Sequence, residues 1–335
     1  MFQTENTPQK RAKLNANRHL EAGYLTTIPW EEFFSGTINE GEVKTLLDYA
    51  ESVITDKPTD TPYSKIEEMF KKLQNKVGVT PDGIIGKQTL KAIQDYMLKN
   101  ESVVWCPVTG DFIAPIEGSS RKIQYVKYAG LDVPLDLPDY VNLVNFADKD
   151  GIDLHSTGSF SNRRGDKINS IVVHWGGLNP EHIARIFLNR KASSHFGVGR
   201  SEKDGNVIVY QYIDLVHSAW HAVGANKHSI GIDICQQPET KWASRYPKLK
   251  TVKNPTKHGP KEILELDPEV GKACAALIKS LEGTFWLKPM TPELEKVTKE
   301  AFVNAGGVYS HWHVDFKNKG KWDIAPWWET LYSYR

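Results

Sequence analysis

Apolar positions recur along this chain at two periods, and the change from one to the other divides it. In the first part the period is helical. Glu42-Val43-Lys44-Thr45-Leu46-Leu47-Asp48-Tyr49-Ala50 spaces its apolar residues for one helix face. Trp30-Glu31-Glu32-Phe33-Phe34 reads as a helix start after Pro29. A turn-rich joint, Pro58-Thr59-Asp60-Thr61-Pro62, precedes a second helix whose face is Ile66, Met69, Phe70, Leu73 and Val77. Gly78 suits its left-handed cap. Pro81-Asp82-Gly83 is a tight turn, Gly86 permits a second bend, and a helix restarts from Thr89.

Beyond the alternating stretch Lys122–Tyr128, and from about residue 168 onward, short apolar strands alternate with helices. Residues 168–175 read as a buried strand and residues 180–189 as a helix with Ile183, Ile186 and Phe187 on one side. A strand begins near Ser193, Lys203-Asp204-Gly205 marks a hairpin, and Val207–Tyr212 is the return strand. In Ser229–Cys235, alternation places Ile230, Ile232 and Ile234 on one face and Asp233 with Cys235 on the other. Residues 236–262 form a polar, basic loop. Pro268–Phe285, Pro292–Ala305 and Pro326–Tyr332 read as helices. The expectation is an α/β C-terminal domain (121–335) behind a small all-α domain (1–100), with a linker at 101–120.

Composition narrows the function. The 335 residues carry a formal charge of +1, so no net field draws the chain to nucleic acid or to an anionic membrane. No apolar run reaches the roughly 20 residues of a membrane span. The N-terminus, Met1-Phe2-Gln3-Thr4-Glu5-Asn6, lacks the apolar core of a secretory signal, so the expected location is a cytoplasm. Three scattered cysteines, Cys106, Cys235 and Cys274, suggest neither a disulfide framework nor a thiolate metal site.

The candidate chemistry lies near the end of the chain, in Ser310-His311-Trp312-His313-Val314-Asp315 and Lys321-Trp322-Asp323. Zinc takes neutral imidazole nitrogens and carboxylate oxygens, and a catalytic site keeps a fourth position open for water. His174 at a strand end and a later His/Asp pair can supply three such ligands. His311 and His313 compete for the second place, and the spacing to Asp323 favours His313.

Two family resemblances give these residues a context. Around residues 62–98, the run Asp82-Gly83-Ile84-Ile85-Gly86-Lys87-Gln88-Thr89-Leu90-Lys91-Ala92-Ile93 resembles the loop of the three-helix peptidoglycan-binding module. Asp82, Gly83, Gly86 and Thr89 stand at matching positions, although such a loop can also merely shape a small helical domain. Over about 168–330, six pieces fall in one order: the His174 strand, Ser193-Ser194-His195-Phe196, Asp204-Gly205, Ala219-Trp220-His221-Ala222, Ser229-Ile230-Gly231-Ile232-Asp233, and His313-Val314-Asp315 with Lys321-Trp322-Asp323. That order is similar to the zinc-dependent N-acetylmuramoyl-L-alanine amidases, the relatives of T7 lysozyme and the animal peptidoglycan recognition proteins.

The resemblance implies a central mixed sheet flanked by helices, a zinc ion on His174, His313 and Asp323, and a catalytic Lys321. Asp233 would stand in for a family glutamate as general base, unless another base acts. Ser194 replaces a family tyrosine, and Trp312 a family glycine. His221, Trp220, Trp175 and His195 would face substrate, with His195 alternatively a structural strand histidine. The implied reaction is hydrolysis of the amide joining N-acetylmuramic acid to L-alanine in bacterial peptidoglycan. The implied protein is a monomeric phage endolysin, held in the host cytoplasm until release to the wall. A virion-associated lysin and a non-catalytic peptidoglycan receptor are the alternatives.

Overall fold

In the computed structural model the described residues are 18, 21–28, 30, 34, 36–55, 62–101, 104–110, 112–113, 123–163, 166–317 and 320–335. Expectations for residues 1–17, most of the Trp30–Phe34 helix start and most of the Pro58–Pro62 joint lie outside them. The chain divides into two units, residues 1–121 with 128–134 and residues 122–127 with 135–335.

The first unit holds α1 (Glu40–Thr55), α2 (Tyr63–Lys76) and α3 (Lys87–Glu101). In α2 the residues Ile66, Met69, Phe70 and Leu73 are buried, and the helix stops where Gly78 takes φ +76°. The loop from Asp82 to Thr89 is built around buried Gln74. Its side-chain amide donates to Asp82 Oδ1 (2.6 Å), Ile84 O (3.0 Å) and Thr89 Oγ1 (3.1 Å), and its Oε1 accepts the Gly83 N–H (2.9 Å). Gly83 has φ +76°, and a Cβ there would lie 2.3 Å from Glu67 Cγ, so only glycine fits. Asp82, Gly83 and Thr89 therefore shape the loop, while Ile84 stands 60% exposed at its tip.

Within the stretch expected as a linker, 101–120, the described residues hold two short strands. Strands β1 (Val104–Trp105) and β2 (Phe112–Ile113) pair antiparallel. Trp105 is fully buried, its indole N–H donates to Thr27 O (3.0 Å), and Gln94 of α3 donates to the Trp105 carbonyl. The first unit is thus not purely helical. A large apolar ring buried this way removes on the order of 2–3 kcal/mol of exposure cost.

The remaining strands are β3 (Gln124–Tyr128), β4 (Leu131–Leu135), β5 (Asn142–Asn145), β6 (Phe160–Asn162), β7 (Ser170–Trp175), β8 (Phe196–Arg200), β9 (Val207–Gln211), β10 (His217–Ala219), β11 (Ser229–Cys235), β12 (Thr251–Lys253), β13 (Glu262–Leu264) and β14 (Gly307–Ser310). The second unit is organised on a six-stranded mixed sheet of order β14-β7-β11-β8-β9-β5. Strands β14, β7, β11 and β8 run parallel, and β8 turns antiparallel to β9 through the expected hairpin, with Gly205 at φ +73°.

Both faces are covered, so all seven residues of β11 are buried. On one face α4 (Pro180–Leu188) sets Ile183, Ala184 and Phe187 against Ile208, Tyr210 and Cys235. It starts where Asn179 Oδ1 accepts the His182 N–H (2.6 Å), with Pro180 at its first turn. Gly197 and Gly199 of β8 lie in register with Asp233 and Cys235. A Cβ on Gly197 would fall 2.0 Å from Tyr212 Oη, so the strand is thinned to admit that ring.

The other face, with Phe196, Val198, Ile232 and Ile234, is left for α5 (Pro268–Phe285). Asp267 caps α5 by accepting the Glu269 N–H. The helix expected from Pro292 shortens to α6 (Lys299–Ala305), because Thr298 supplies the cap by accepting the Ala301 N–H (3.0 Å). The chain closes in α7 (Trp328–Ser333). Among the described residues no helix is long and apolar enough to cross a membrane.

Candidate metal centre

Three neighbouring parallel strands deliver the site at their carboxyl ends, where open α/β sheets place ligands. Parallel register sets Asp233 of β11 beside His174 of β7. Ser310 of β14 pairs with Val173, and the ladder continues as the His311 N–H donates to Val173 O (2.9 Å). His311, His174 and Asp233 therefore form one row across the sheet, on the face shared with α4.

Asp323 reaches this row from the closing loop. It is followed by Ile324 at φ +65°, a left-handed conformation that a β-branched residue adopts only under strain. Ile324 is buried, and its carbonyl accepts the Trp327 N–H (2.8 Å). His174 Nδ1, His311 Nδ1 and Asp323 Oδ2 make a triangle with edges of 3.1, 3.0 and 3.8 Å. Ligand atoms around a tetrahedral zinc with bonds of roughly 2.0–2.1 Å are about 3.3 Å apart, so the donor set and its spacing fit such an ion. These three residues could hold a metal ion.

His313 is not among them, contrary to the expectation from spacing. The backbone turns tightly after Ser310, with the His313 N–H on Ser310 O (3.0 Å), and folds the ring away from His174. Its Nδ1 accepts the Ser310 N–H (2.9 Å), and its Nε2 lies 3.1 Å from Glu293 O, which only a protonated nitrogen can satisfy. Both nitrogens are used, and burial presses its pKa down to about 4. Strand register, invisible in spacing, puts His311 next to His174 instead.

The electrostatics suit a charged acceptor among neutral rings. Burial pushes the Asp323 carboxyl up, but the His174 and His311 imidazoles beside it outweigh that and hold the pKa well below the usual range. Burial lowers the His311 pKa, with His174 and the Lys321 ammonium adding to it. Lys321 is exposed, with its backbone N–H on Asp315 Oδ2 (3.1 Å). Asp233 is buried, and desolvation raises its pKa against the opposing pull of His174 and the Ser194 hydroxyl.

The expected substrate-facing residues separate. Trp175 lies against Trp322, ring centroids 5.3 Å apart, and its indole Nε1 has no partner among the described residues. Trp322, unremarked in the sequence, is signalled only by adjacency to Asp323. Trp220 is 37% exposed and donates to Ser161 Oγ (2.9 Å). His195 cannot touch substrate. It is fully buried, Nδ1 accepts the Gly231 N–H (2.9 Å), and Nε2 faces His217 O (3.0 Å). Burial and the Arg163 guanidinium lower its pKa to about 3. Half-buried His221 stands behind His174, with its Nδ1 3.0 Å from His174 Nε2.

Comparison with known proteins finds one family for part of the chain. Residues 164–257 match the profile of the N-acetylmuramoyl-L-alanine amidase family. The matched stretch takes in His174, His195, His221 and Asp233 and ends before His311 and Asp323. No curated protein matches the chain. A solved structure, that of PlyL, is similar at 13% identity and a TM-score of 0.34, covering 58% of this chain and 96% of that chain.

Proposed function

We propose that this protein is a zinc-dependent N-acetylmuramoyl-L-alanine amidase that cuts the bond between N-acetylmuramic acid and L-alanine in bacterial peptidoglycan. The observation that carries the reading is the meeting of His174, His311 and Asp323 beside a buried Asp233, on a sheet whose central segment matches the amidase profile. The same reading makes the protein a wall lysin of the endolysin kind, with the first unit engaging the wall through the loop that presents Ile84.

His174, His311 and Asp323 would hold the ion, two neutral imidazoles and one carboxylate. Zinc, when bound, supplies the Lewis acidity that activates water and polarises the scissile carbonyl. Asp233 takes the proton from the attacking water on its carboxylate. Desolvation raises its proton affinity, which suits it to return that proton to the amine of L-alanine as the C–N bond breaks. The Lys321 ammonium faces the negative charge that develops on the carbonyl oxygen. Trp175 and Trp322, which lie against each other next to His174 and Asp323 in the chain, would orient the substrate.

Mass spectrometry of peptidoglycan digested by the zinc-loaded protein tests this. Stem peptides with free L-alanine amino termini, and glycans without new reducing ends, are expected. New reducing ends, or cuts within the stem peptide, would remove the amidase assignment.

A further inference from the structure

Behind the metal triangle runs a chain of hydrogen bonds whose direction is set from its far end. Ser229 Oγ is 2.8 Å from Ala225 O, and a carbonyl only accepts, so the serine proton points there. Toward His221 Nε2, 3.2 Å away, the same hydroxyl can then only accept. His221 Nε2 must carry a proton, which leaves His221 Nδ1 bare in the neutral ring. The 3.0 Å contact between His221 Nδ1 and His174 Nε2 then requires the proton on His174. His174 is left with a bare Nδ1, the atom in the triangle with His311 and Asp323.

The surroundings are built to seat this ring. A Cβ on Gly231 of β11 would lie 2.6 Å from His221 Cγ, so the strand is stripped at that point to admit the imidazole. Asn226 Oδ1 accepts the backbone N–H of His221 (3.1 Å) and of Ala222 (2.6 Å), and Ala222 O accepts the Ala225 N–H (2.9 Å). One closed loop thus positions His221 and presents the carbonyl that orients Ser229.

We infer that His221 is a positioning residue for the metal site, holding His174 in the tautomer that offers Nδ1 to the ion, with Ser229 and the Ala225 carbonyl fixing His221 in turn. This rests on the zinc reading and departs from a substrate-facing role for His221. Outer partners of ligand histidines act this way, and losing one typically weakens metal binding by about 10–100-fold.

The test has two arms. In metal-free full-length protein, nitrogen-15 NMR should find His221 and His174 each protonated on Nε2, with Ser229→Ala mixing the His221 tautomers. Protonation of His221 on Nδ1 would overturn the inference whether or not the protein binds zinc. In the second arm, zinc affinity is measured by chelator competition, with thermal unfolding of the metal-free variants as the folding control. His221→Leu should weaken zinc by roughly 10–100-fold, and His221→Asn, whose Oδ1 can accept where Nδ1 does, should restore most of it. Unchanged affinity in His221→Leu, or equal loss in both variants, would overturn it. A parent protein that binds no zinc would defeat the proposed function instead, and the NMR arm would still decide the tautomers.

Discussion

At the scale of the residue, the proposed function gives the histidines at 311 and 313 different parts, one a metal ligand and the other a buried structural ring, and single substitutions separate them. His311→Ala should lose bound zinc and activity, measured by metal analysis and turnover. His313→Ala should keep zinc near stoichiometric and instead lose about 2–3 kcal/mol of stability, through a cavity and the stranded Ser310 N–H and Glu293 carbonyl. The reverse pattern would restore the spacing-based assignment. In the proposed mechanism Lys321 acts on charge that appears only in the transition state. Lys321→Ala should therefore retain zinc and KM while kcat falls on the order of a hundredfold, and an unchanged kcat would remove it from the mechanism.

At the scale of the element, the site depends on how closely strands and helix α4 approach. Tyr212 Oη donates to Pro180 O (2.8 Å) directly over Gly197, and so ties β9 to the start of α4. Gly197→Ala forces a methyl into that contact and should cost about 1–3 kcal/mol, read from the denaturation midpoint. A cost near zero would mean that β8 shifts freely. The helices were legible from pattern because their signals are local. Pro268–Phe285 begins at an aspartate cap with proline at the first turn, and α2 ends at Gly78. The stretch after Pro292 carried helical spacing too, but it passes close to His313 and joins it by hydrogen bonds through Glu293 O and the Val297 N–H, and helix begins only at Lys299.

At the scale of the whole molecule, buried neutral histidines make the fold acid-sensitive. His195 and His313 have folded pKa values of about 3 and about 4, below the ordinary value of 6.5. The unfolded chain binds their protons first, so their contribution is complete above pH 6.5 and is lost as pH falls toward 4 and then 3. Unfolding free energy should drop by roughly 3–5 kcal/mol per histidine across that window. His313→Asn should flatten the profile, and an unaltered slope would place the acid response elsewhere. Attachment to the wall, proposed for the first unit, is a separate matter. Ile84→Asp should weaken co-sedimentation with purified peptidoglycan and leave hydrolysis of a soluble muropeptide unchanged, whereas equal loss of both would make Ile84 a structural residue.

By itself the sequence determined what local patterns encode: most of the helices, the hairpin at Gly205, the Asp233 face of β11, and the chemical kinds of the candidate ligands. His174 and Asp323 could be named because they stand where the motifs of the family that the sequence resembles place metal ligands. Only the tertiary structure brings His311, rather than His313, beside His174 and Asp323. A loop of ten or so residues can bring Asp323 to either, and the choice falls to the pairing of β14 with β7, a contact between segments more than a hundred positions apart. For the same reason His195 proved a buried strut, Trp105 a core residue, and His221 the neighbour of His174. Each depends on which strand or loop lies across from it, and residue spacing carries no record of that.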